Sequence, residues 1–322
     1  MIDDRMTVPL SGHCVVVHER DNPTTDFYLR PRLHANPDVA VSWHSFDTLP
    51  PLHALDDATI VFVRYMPAAW RHAIEKVRPR LRRLVVLMDD DLLDSRATRG
   101  LPLRYRLKIL RLATWQRAWL TRMRAELWVS TPYLVEKYAP LGARLLAPRP
   151  LIESAPRACV FCHATGSHQA ELEWLRPVIE QVLAQTSEVV FELTGTRRVA
   201  RFYRDIPQVT VTPPMPWPAF RRFNLAPGRS IGLAPVLDTP FNRGRSATRF
   251  FDITRAGAVG LYTENGPCQS LVRNGVEGLL LANQPSLWAT AILSLLEDEP
   301  RRQSLLAAAR ERVARLAAGE TV

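Results

Sequence analysis

The segment Arg229-Ser-Ile-Gly-Leu-Ala-Pro-Val-Leu-Asp-Thr-Pro-Phe-Asn242 leads directly into Arg243-Gly-Arg-Ser-Ala-Thr-Arg-Phe-Phe-Asp-Ile-Thr-Arg-Ala-Gly257. The apolar run from Ile231 to Ala234 is typical of a short buried strand. The Pro, Asp and Asn residues after it predict a loop, and a helix is expected from near Ser246. Open α/β sheets bind ligands at the carboxyl ends of their strands, so this loop is a candidate binding segment.

Two arginines and an aspartate recur in the predicted helix at spacings of four and three residues. Arg245, Arg249 and Asp252 would then share one helical face, with Ser246 as the N-cap. Free N–H groups at a helix N-terminus and two guanidiniums attract a pyrophosphate, and the carboxylate can accept hydrogen bonds from ribose hydroxyls. The pattern outlines a nucleotide-sugar site. An exposed, ion-paired helix face is the alternative interpretation.

The same alternation of apolar runs and helical stretches extends over the whole chain. Further strands are predicted at 14–18, 39–43, 59–63, 84–88, 127–130, 160–163, 189–193 and 209–212. Strand, helix and strand joined by short links favour a parallel doubly wound sheet. Prolines 148, 150 and 156 interrupt this regularity near the middle of the 322 residues, which is a length that suits two domains.

This segment resembles the C-terminal half of GT-B glycosyltransferases, in the family-4-like group that builds bacterial surface polysaccharides. That family shows Asn-x-x-Lys-Ser-x-x-Lys-x-x-Glu with a glycine five residues on. The matching positions here are Asn242, Arg245, Ser246, Arg249, Asp252 and Gly257. Arginine replaces lysine twice and keeps the charge. Asp252 replaces the glutamate that reaches the donor ribose in the family, which shortens the reach by one methylene.

The resemblance implies an α/β GT-B fold, with two Rossmann-like doubly wound domains facing a central cleft. We expect an acceptor-side domain over 1–150, a nucleotide-sugar-binding domain over 151–305 and a C-terminal helix over 306–322 that crosses back to the first domain. The implied reaction is retaining, metal-independent transfer of a sugar from a nucleoside diphosphate sugar to a glycan or lipid-linked glycan. Arg245 and Arg249 would stabilise the leaving diphosphate, and no cofactor is expected.

Two other GT-B functions stay open on the same residues. A nucleotide-sugar epimerase would use the same clamp together with acid–base carboxylates. A non-catalytic nucleotide-binding subunit is favoured by the change of glutamate to Asp252.

Two further loops are candidate donor-binding segments because each follows a predicted strand of the second half. Gly166, Ser167 and His168 open a helix predicted from Gln169 to Gln185, and Ser167 could cap N–H groups that face phosphate. Helix capping alone explains this pattern equally well, and a single histidine is more often structural. Thr194 and Gly195 end the next strand and would help to hold the nucleotide.

Acidic residues follow the fourth predicted strand, in Asp89-Asp90-Asp91, and Arg64 ends the third. We expect Arg64, Asp89 and Asp91 on the acceptor side, with one of the carboxylates as a candidate catalytic group. Helix capping is one alternative. Another is an Asp-x-Asp metal site, since hard cations prefer such oxygen ligands.

A basic helix is predicted from about Pro102 to Arg124. The stretch from Arg99 to Arg124, which includes this helix, carries eight cations and no acid before Glu126: Arg99, Arg104, Arg106, Lys108, Arg111, Arg117, Arg122 and Arg124. Trp115 and Trp119 are interleaved with them. Such a helix suits an anionic membrane surface or a lipid-diphosphate acceptor, and packing on its own sheet is the alternative. No nucleic-acid motif accompanies the net charge of +10.

Composition predicts a soluble, cytoplasmic protein, and the basic helix suits a peripheral position at the inner face of the cell membrane. The chain is 47% hydrophobic, yet it contains no apolar stretch of membrane-spanning length, and its first residues lack a signal pattern. Cys159-Val-Phe-Cys162 has no second pair, so buried thiols are favoured over a zinc or redox site.

Overall fold

A computed structural model describes residues 12–149, 151, 155–164 and 166–319. The chain forms two compact units, Met1–Glu153 (domain 1) and Ser154–Val322 (domain 2). Each unit is an α/β domain built on its own six-stranded parallel sheet. The first eleven residues, on which the expected lack of a signal pattern rests, lie outside the described part.

Domain 1 alternates short strands and helices. Its strands are β1 His13–Val17, β2 Ala40–His44, β3 Thr59–Val63, β4 Arg83–Met88, β5 Glu126–Val129 and β6 Arg144–Leu145, in the order β2-β1-β3-β4-β5-β6. Its α-helices are α1 Arg30–His34, α2 Ala68–Val77, α3 Leu103–Leu112, α4 Arg117–Arg122 and α5 Pro132–Lys137. The chain reverses its winding direction between β1 and β3, which is the switch point of a doubly wound sheet.

The four inner strands of domain 1, β1, β3, β4 and β5, are buried on both faces, which explains their continuous apolar runs. Residues of β3 alternate between two cores: Ile60 and Phe62 pack into the core on one face, and Val61 and Val63 into the core on the other. Helix α5 begins where its Thr-Pro pair predicts, because the Thr131 side chain accepts a hydrogen bond from the Leu134 N–H.

Domain 2 repeats this construction with a different strand order. Its strands are β7 Ala158–His163, β8 Val189–Thr194, β9 Val209–Thr212, β10 Arg229–Ala234, β11 Val259–Thr263 and β12 Leu279–Leu281, in the order β12-β11-β10-β7-β8-β9. This is the Rossmann order, in which the winding reverses between β7 and β10. The predicted α/β fold with two Rossmann-like domains is confirmed.

The helices of domain 2 cover both faces of its sheet. They are α6 Gln169–Trp174, α7 Arg176–Leu183, α8 Arg197–Phe202, α9 Trp217–Asn224, α10 Pro240–Arg243, α11 Thr248–Arg255, α12 Pro285–Glu297 and α13 Glu299–Ala317. Leu305 and Ala309 of α13 pack into the cores of this domain. The crossing of the last helix to domain 1 stays a prediction.

Two long helices expected from the sequence are each divided. The basic stretch forms α3 and α4 instead of one helix, because Ala113 leaves the helical region at φ −132° and ψ −64°. The stretch from Gln169 to Gln185 breaks into α6 and α7 at Pro177, which has no N–H to continue the first helix. No helix in the described ranges is long and apolar enough to cross a membrane.

Candidate functional site

The loop between β10 and α11 differs from its prediction. A short helix, α10, lies within this loop and is capped by Thr239, whose hydroxyl accepts a hydrogen bond from the Asn242 N–H at 3.2 Å. Helix α11 begins only at Thr248, with Ala247 at the N-cap position, so the predicted cap role of Ser246 is wrong. Arg245 therefore precedes the helix and does not share its face, whereas Arg249 and Asp252 lie within it.

Arg245 is nevertheless fixed beside the helix by three hydrogen bonds. Its Nε donates to Asn242 Oδ1 at 2.6 Å, its Nη1 to His168 Nε2 at 2.7 Å and its Nη2 to the Ser167 carbonyl at 2.9 Å. Asn242 is itself buried and donates to Glu171 Oε1 at 2.6 Å and to the Leu237 carbonyl at 2.8 Å. Since a guanidinium has five N–H groups, two remain to bind a ligand.

His168 is a neutral hydrogen-bond acceptor in this arrangement. Burial, Arg249 and Arg245 lower its pKa from 6.5 to about 3. Because arginine can only donate, Nε2 must accept and the ring proton resides on Nδ1. Nδ1 lies 4.0 Å from Glu171 Oε2. His168 thus positions Arg245 without adding a charge of its own.

Arg249 lies at the junction of two cavities and is half-buried. The described residues give its guanidinium no hydrogen bond or ion pair. The smaller cavity, of about 130 Å³, is lined by Arg245, Arg249, His168 and Ser246, and we call it the clamp cavity. It lies at the carboxyl ends of β10 and β11, where a doubly wound sheet binds its ligands.

The second cavity, of about 400 Å³, combines aromatic and polar walls, and we call it the aromatic cavity. Trp217 and Phe220 stack at 5.8 Å on one side. Thr194 and Asp252 contribute polar groups. Sequence reasoning missed the two aromatic residues, although a Pro-rich loop carrying Met215 and Trp217 directly after a strand was a usable signal.

Asp252 lines the aromatic cavity from the first turns of α11. Burial raises the pKa of its carboxyl, while Arg249, Arg255 and His163 counteract that rise. Its only described ion pair is a long one, at 3.4 Å, to Arg255. The carboxylate therefore keeps acceptor capacity for hydroxyl groups.

A buried polar network supports Asp252 from behind. Asn224 is fully buried and donates to the Asp252 carbonyl at 2.7 Å, while its Oδ1 lies 3.2 Å from His163 Nδ1. His163 Nε2 lies 2.6 Å from Glu192 Oε1, which also accepts from Arg229 at 2.7 Å. The network ties α9 and the start of α11 to β7 and β8.

The remaining predicted donor-side residues take different positions. Gly166, Ser167 and His168 form a single 3-10 turn, and α6 begins after it with His168 at the N-cap position, so Ser167 does not cap α6. Gly195 lines none of the cavities described here. A Cβ at this position would lie 2.9 Å from that of Val199, so helix packing explains the glycine.

In domain 1 the structure brings Arg64 to Asp89 and Asp90. Arg64 lies directly after β3 in a left-handed conformation (φ 70°), which is uncommon for a residue with a side chain. Its Nε lies 3.2 Å from Asp89 Oδ1, and its Nη2 pairs with Asp90. Asp89 also accepts from the Thr24 hydroxyl at 2.6 Å. The charge of Arg64 is therefore offset within the cluster, which keeps one carboxylate charge in excess.

Asp91 is held separately from the two acids before it. Its carboxylate accepts from Lys137 Nζ at 2.5 Å and from the Tyr138 hydroxyl. Lys137 also contacts Asp94, at 2.7 Å. Both oxygens of Asp91 therefore have partners from the end of α5, which indicates that this side chain fixes α5 to the strand end.

The basic segment exposes a different set of residues from the one its sequence suggested. Trp119 is buried, and its Nε1 donates to Glu75 at 2.9 Å, so it belongs to the core. Trp115 is 68% exposed, and on α3 Leu103 and Leu107 are 67% and 54% exposed. Arg104 and Arg111 are exposed on the same face of α3 as the two leucines.

The Cys-x-x-Cys pair is placed on opposite faces of a strand. Cys159 and Cys162 lie three residues apart in β7, so their side chains point away from each other. Both are free thiols, and burial raises the pKa of each to about 11. This arrangement agrees with buried thiols and leaves them no shared ligand.

No protein-family model matches this chain, and a comparison with curated proteins found no match. Similar solved structures include S. aureus TarM in complex with Fondaparinux, alpha-GlcNAc-glycerol and UDP, at 10% identity and a TM-score of 0.40 over 82% of this chain and 54% of TarM. Anabaena HepE in complex with UDP and glucose has 11% identity and a TM-score of 0.40 over 94% of this chain and 95% of HepE.

Sucrose-phosphate synthase from Thermosynechococcus elongatus has 13% identity and a TM-score of 0.40, over 95% of this chain and 94% of that protein. The chain spans only 54% and 55% of the lengths of TarM and pneumococcal GtfA.

Proposed function

We propose that this chain is a glycosyltransferase that takes a sugar from a nucleoside diphosphate donor. The observation that carries the proposal is the half-buried guanidinium of Arg249, which has no described partner and stands between the clamp and aromatic cavities. Beside it, Arg245 is fixed with two N–H groups left over. Two cations around a small cavity, one of them held by three hydrogen bonds, suit a diphosphate, and an aromatic pocket next to it suits a nucleoside.

The chemistry follows from where charge develops. When the sugar–phosphate bond breaks, negative charge grows on the leaving diphosphate, and preorganised guanidiniums stabilise it without rearrangement. Arg245 and Arg249 take that role, and no metal ion is needed. Asp252 accepts hydrogen bonds from the ribose, Thr194 contacts the nucleoside, and transfer retains the anomeric configuration. The acceptor is a glycan or lipid-linked glycan of a surface polysaccharide.

A ligand panel tests the donor. UDP, GDP, ADP and the matching free nucleosides are compared by thermal shift, since a ligand that binds the native state raises its melting temperature. We expect at least one diphosphate to raise it while its nucleoside raises it far less. Equal shifts for diphosphate and nucleoside would contradict the clamp, and an absence of shifts from every diphosphate would contradict the function.

Turnover separates the proposed reaction from its two alternatives. Release of diphosphate from the sugar donor, undiminished by EDTA, supports metal-independent transfer. An epimerised nucleotide sugar formed without acceptor would identify an epimerase. Tight diphosphate binding with no turnover on any sugar donor would identify a non-catalytic binding subunit.

We also propose that domain 1 docks on the anionic inner face of the cell membrane through α3 and the turn after it. Exposed Leu103, Leu107 and Trp115 stand beside exposed Arg104 and Arg111. Apolar side chains that enter the headgroup region, flanked by cations that attract anionic lipid, are the composition of an interfacial helix. Lipid-linked acceptors reside at that surface.

Vesicle sedimentation tests the docking. Each cation near anionic lipid contributes on the order of 1 kcal/mol, so binding to phosphatidylserine-containing vesicles should be measurable at low salt and fall as salt rises. Arg104→Gln with Arg111→Gln should weaken it strongly, as should Leu103→Gln with Leu107→Gln. Arg301→Gln with Arg310→Gln, exposed on α13, is the matched control. Equal loss in the control would indicate net charge alone.

A further inference from the structure

A third cavity, of about 630 Å³, adjoins the clamp cavity at the carboxyl ends of β10, β11 and β12. We call it the polar cavity, because Asp238, Glu264, Asn265 and Asn283 are among its lining residues. None of the exposed aromatic side chains of the aromatic cavity borders it. Its composition differs sharply from that of the pocket around Trp217.

The three cavities follow one another along the edge of the sheet. The clamp cavity shares His168, Thr248 and Arg249 with the aromatic cavity. It shares Val236, Thr263 and Pro267 with the polar cavity. The aromatic and polar cavities have no lining residue in common within the described ranges. A ligand whose diphosphate occupies the clamp cavity therefore meets aromatic walls on one side and polar walls on the other.

The wall between the clamp and polar cavities is rigid. The Thr263 hydroxyl accepts from the Val236 N–H at 2.8 Å and donates to Asn283 Oδ1 at 2.8 Å. Asn283 Nδ2 in turn donates to the Val236 carbonyl at 2.8 Å. These three bonds tie the ends of β10, β11 and β12 together, so the opening between the two cavities keeps its shape.

The charge of the polar cavity is set by one side chain. Asp238 is paired with Arg243 at 2.9 Å, so these two charges offset each other. Glu264 directly follows β11, is exposed, and has no side-chain hydrogen bond or ion pair among the described residues. Its carboxylate is left to accept hydrogen bonds from a ligand and to repel an anionic one.

We infer that the polar cavity holds the sugar of the donor and that Glu264 selects a neutral, hydroxyl-rich sugar over a uronic acid. This inference rests on the proposed function, because it places the diphosphate in the clamp cavity. Sugar hydroxyls donate to the Glu264 carboxylate in a charge-assisted hydrogen bond. A sugar carboxylate would instead bring a like charge beside Glu264 and lose that bond.

Calorimetry with matched ligands tests the inference. The probes are UDP, UDP-glucose and UDP-glucuronate or, for a protein that binds GDP, GDP, GDP-mannose and GDP-mannuronate. The dissociation constant of the neutral sugar nucleotide should be lower than that of the acidic one by a factor of roughly five or more. Glu264→Gln keeps the shape and removes the charge, so it should bring that ratio close to one while the diphosphate alone binds as before. Glu297→Gln, exposed at the end of α12, is the control.

The outcomes separate the inference from the function it rests on. If the diphosphate binds and both sugar nucleotides bind equally to the wild-type protein, Glu264 does not discriminate between the two sugars. The inference then fails, and the proposed function stands. An unchanged ratio in Glu264→Gln would overturn the inference in the same way. If no diphosphate binds at all, the proposed function fails and the inference fails with it.

Discussion

The carboxyl edges of the two sheets carry similar residues, but the cations are ion-paired at the edge in domain 1 and are not at the edge in domain 2. In domain 1 the cations beside this edge are engaged by carboxylates: Arg64, directly after β3, with Asp89 and Asp90, and Lys137, at the end of α5, with Asp91. In domain 2 the two arginines beside the edge, Arg245 before α11 and Arg249 within it, face a neutral histidine and an open cavity. A cation that is already paired within the protein has little attraction left for a phosphate, whereas Arg249 keeps its full charge.

This difference teaches that residue type at a strand end does not identify a ligand site. Both edges contain arginine, aspartate and a nearby hydroxyl. What separates them is whether the opposite charge comes from the chain itself. This criterion favours domain 2 for the proposed diphosphate, and we expect the charges of domain 1 to hold the fold together or to meet an acceptor with hydroxyl groups.

Replacing the arginine of each edge should give the largest contrast. Arg249→Ala removes charge-assisted contacts worth roughly 1.5–3 kcal/mol each, so diphosphate affinity should fall on the order of a hundredfold. Arg64→Ala, the matched change in domain 1, should leave that affinity within about twofold. Calorimetry with UDP or GDP and with the free nucleoside measures both. A larger loss in Arg64→Ala would reverse the assignment of the two edges.

The second test asks whether Asp91 is structural or catalytic. Asp91→Asn leaves Lys137 with a weakened partner, so the free energy of unfolding should fall by about 1–3 kcal/mol while nucleotide affinity is unchanged. Asp90→Asn is the control, because that side chain is 61% exposed and should cost less. Denaturant unfolding and donor turnover are measured together. Loss of turnover at full stability would make Asp91 the catalytic carboxylate instead.

The last expected effect is a pH dependence that belongs to domain 2. The His168 pKa is lowered from 6.5 to about 3 in the folded protein. Between pH 6.5 and about pH 3, His168 is protonated in the unfolded chain and neutral in the folded chain. The free energy of unfolding therefore falls as the pH drops through this window. The free energy of unfolding should change by up to about 1.4 kcal/mol per pH unit in this window.

His168→Gln should flatten that slope between pH 6.5 and pH 4, because the titrating group is gone while an acceptor for Arg245 remains. His72→Gln, an exposed histidine on α2, should leave the slope as it is. Urea unfolding at several pH values gives the comparison. Parallel curves for wild type and His168→Gln would mean that folding does not lower the pKa of His168.

Strands and short helices were predictable where one physical signal dominates. The bounds of β3 match the strand predicted at 59–63, because a fully buried strand is a continuous apolar run. Helix α2 carries a comparably clear signal, a regular apolar face that includes Trp70, Ile74 and Val77. Strand β6 was missed because two residues, Arg144 and Leu145, carry no periodicity.

Only some of the residues that line the candidate site were predictable, and their geometry was not. The family-like pattern picked out Arg245, Arg249 and Asp252, yet the helix start was placed too early at Ser246. The pair Thr239-Pro240 predicts the start of the short helix α10, just as Thr131-Pro132 predicts the start of α5. That signal was not used. Glu171, which holds Asn242, and the burial of Trp119 depend on tertiary contacts that no local pattern records.

The three hydrogen bonds of Arg245 have a consequence for how this segment can change. They reach three acceptors in different directions: Asn242 Oδ1, His168 Nε2 and the Ser167 carbonyl. A planar fork spans such a set, whereas a lysine ammonium places all its donors on one atom. The arginine that departs from the family pattern is thus matched to its neighbours. We therefore expect positions 168, 242 and 245 to vary together, so that related chains with lysine at 245 differ at 168 as well.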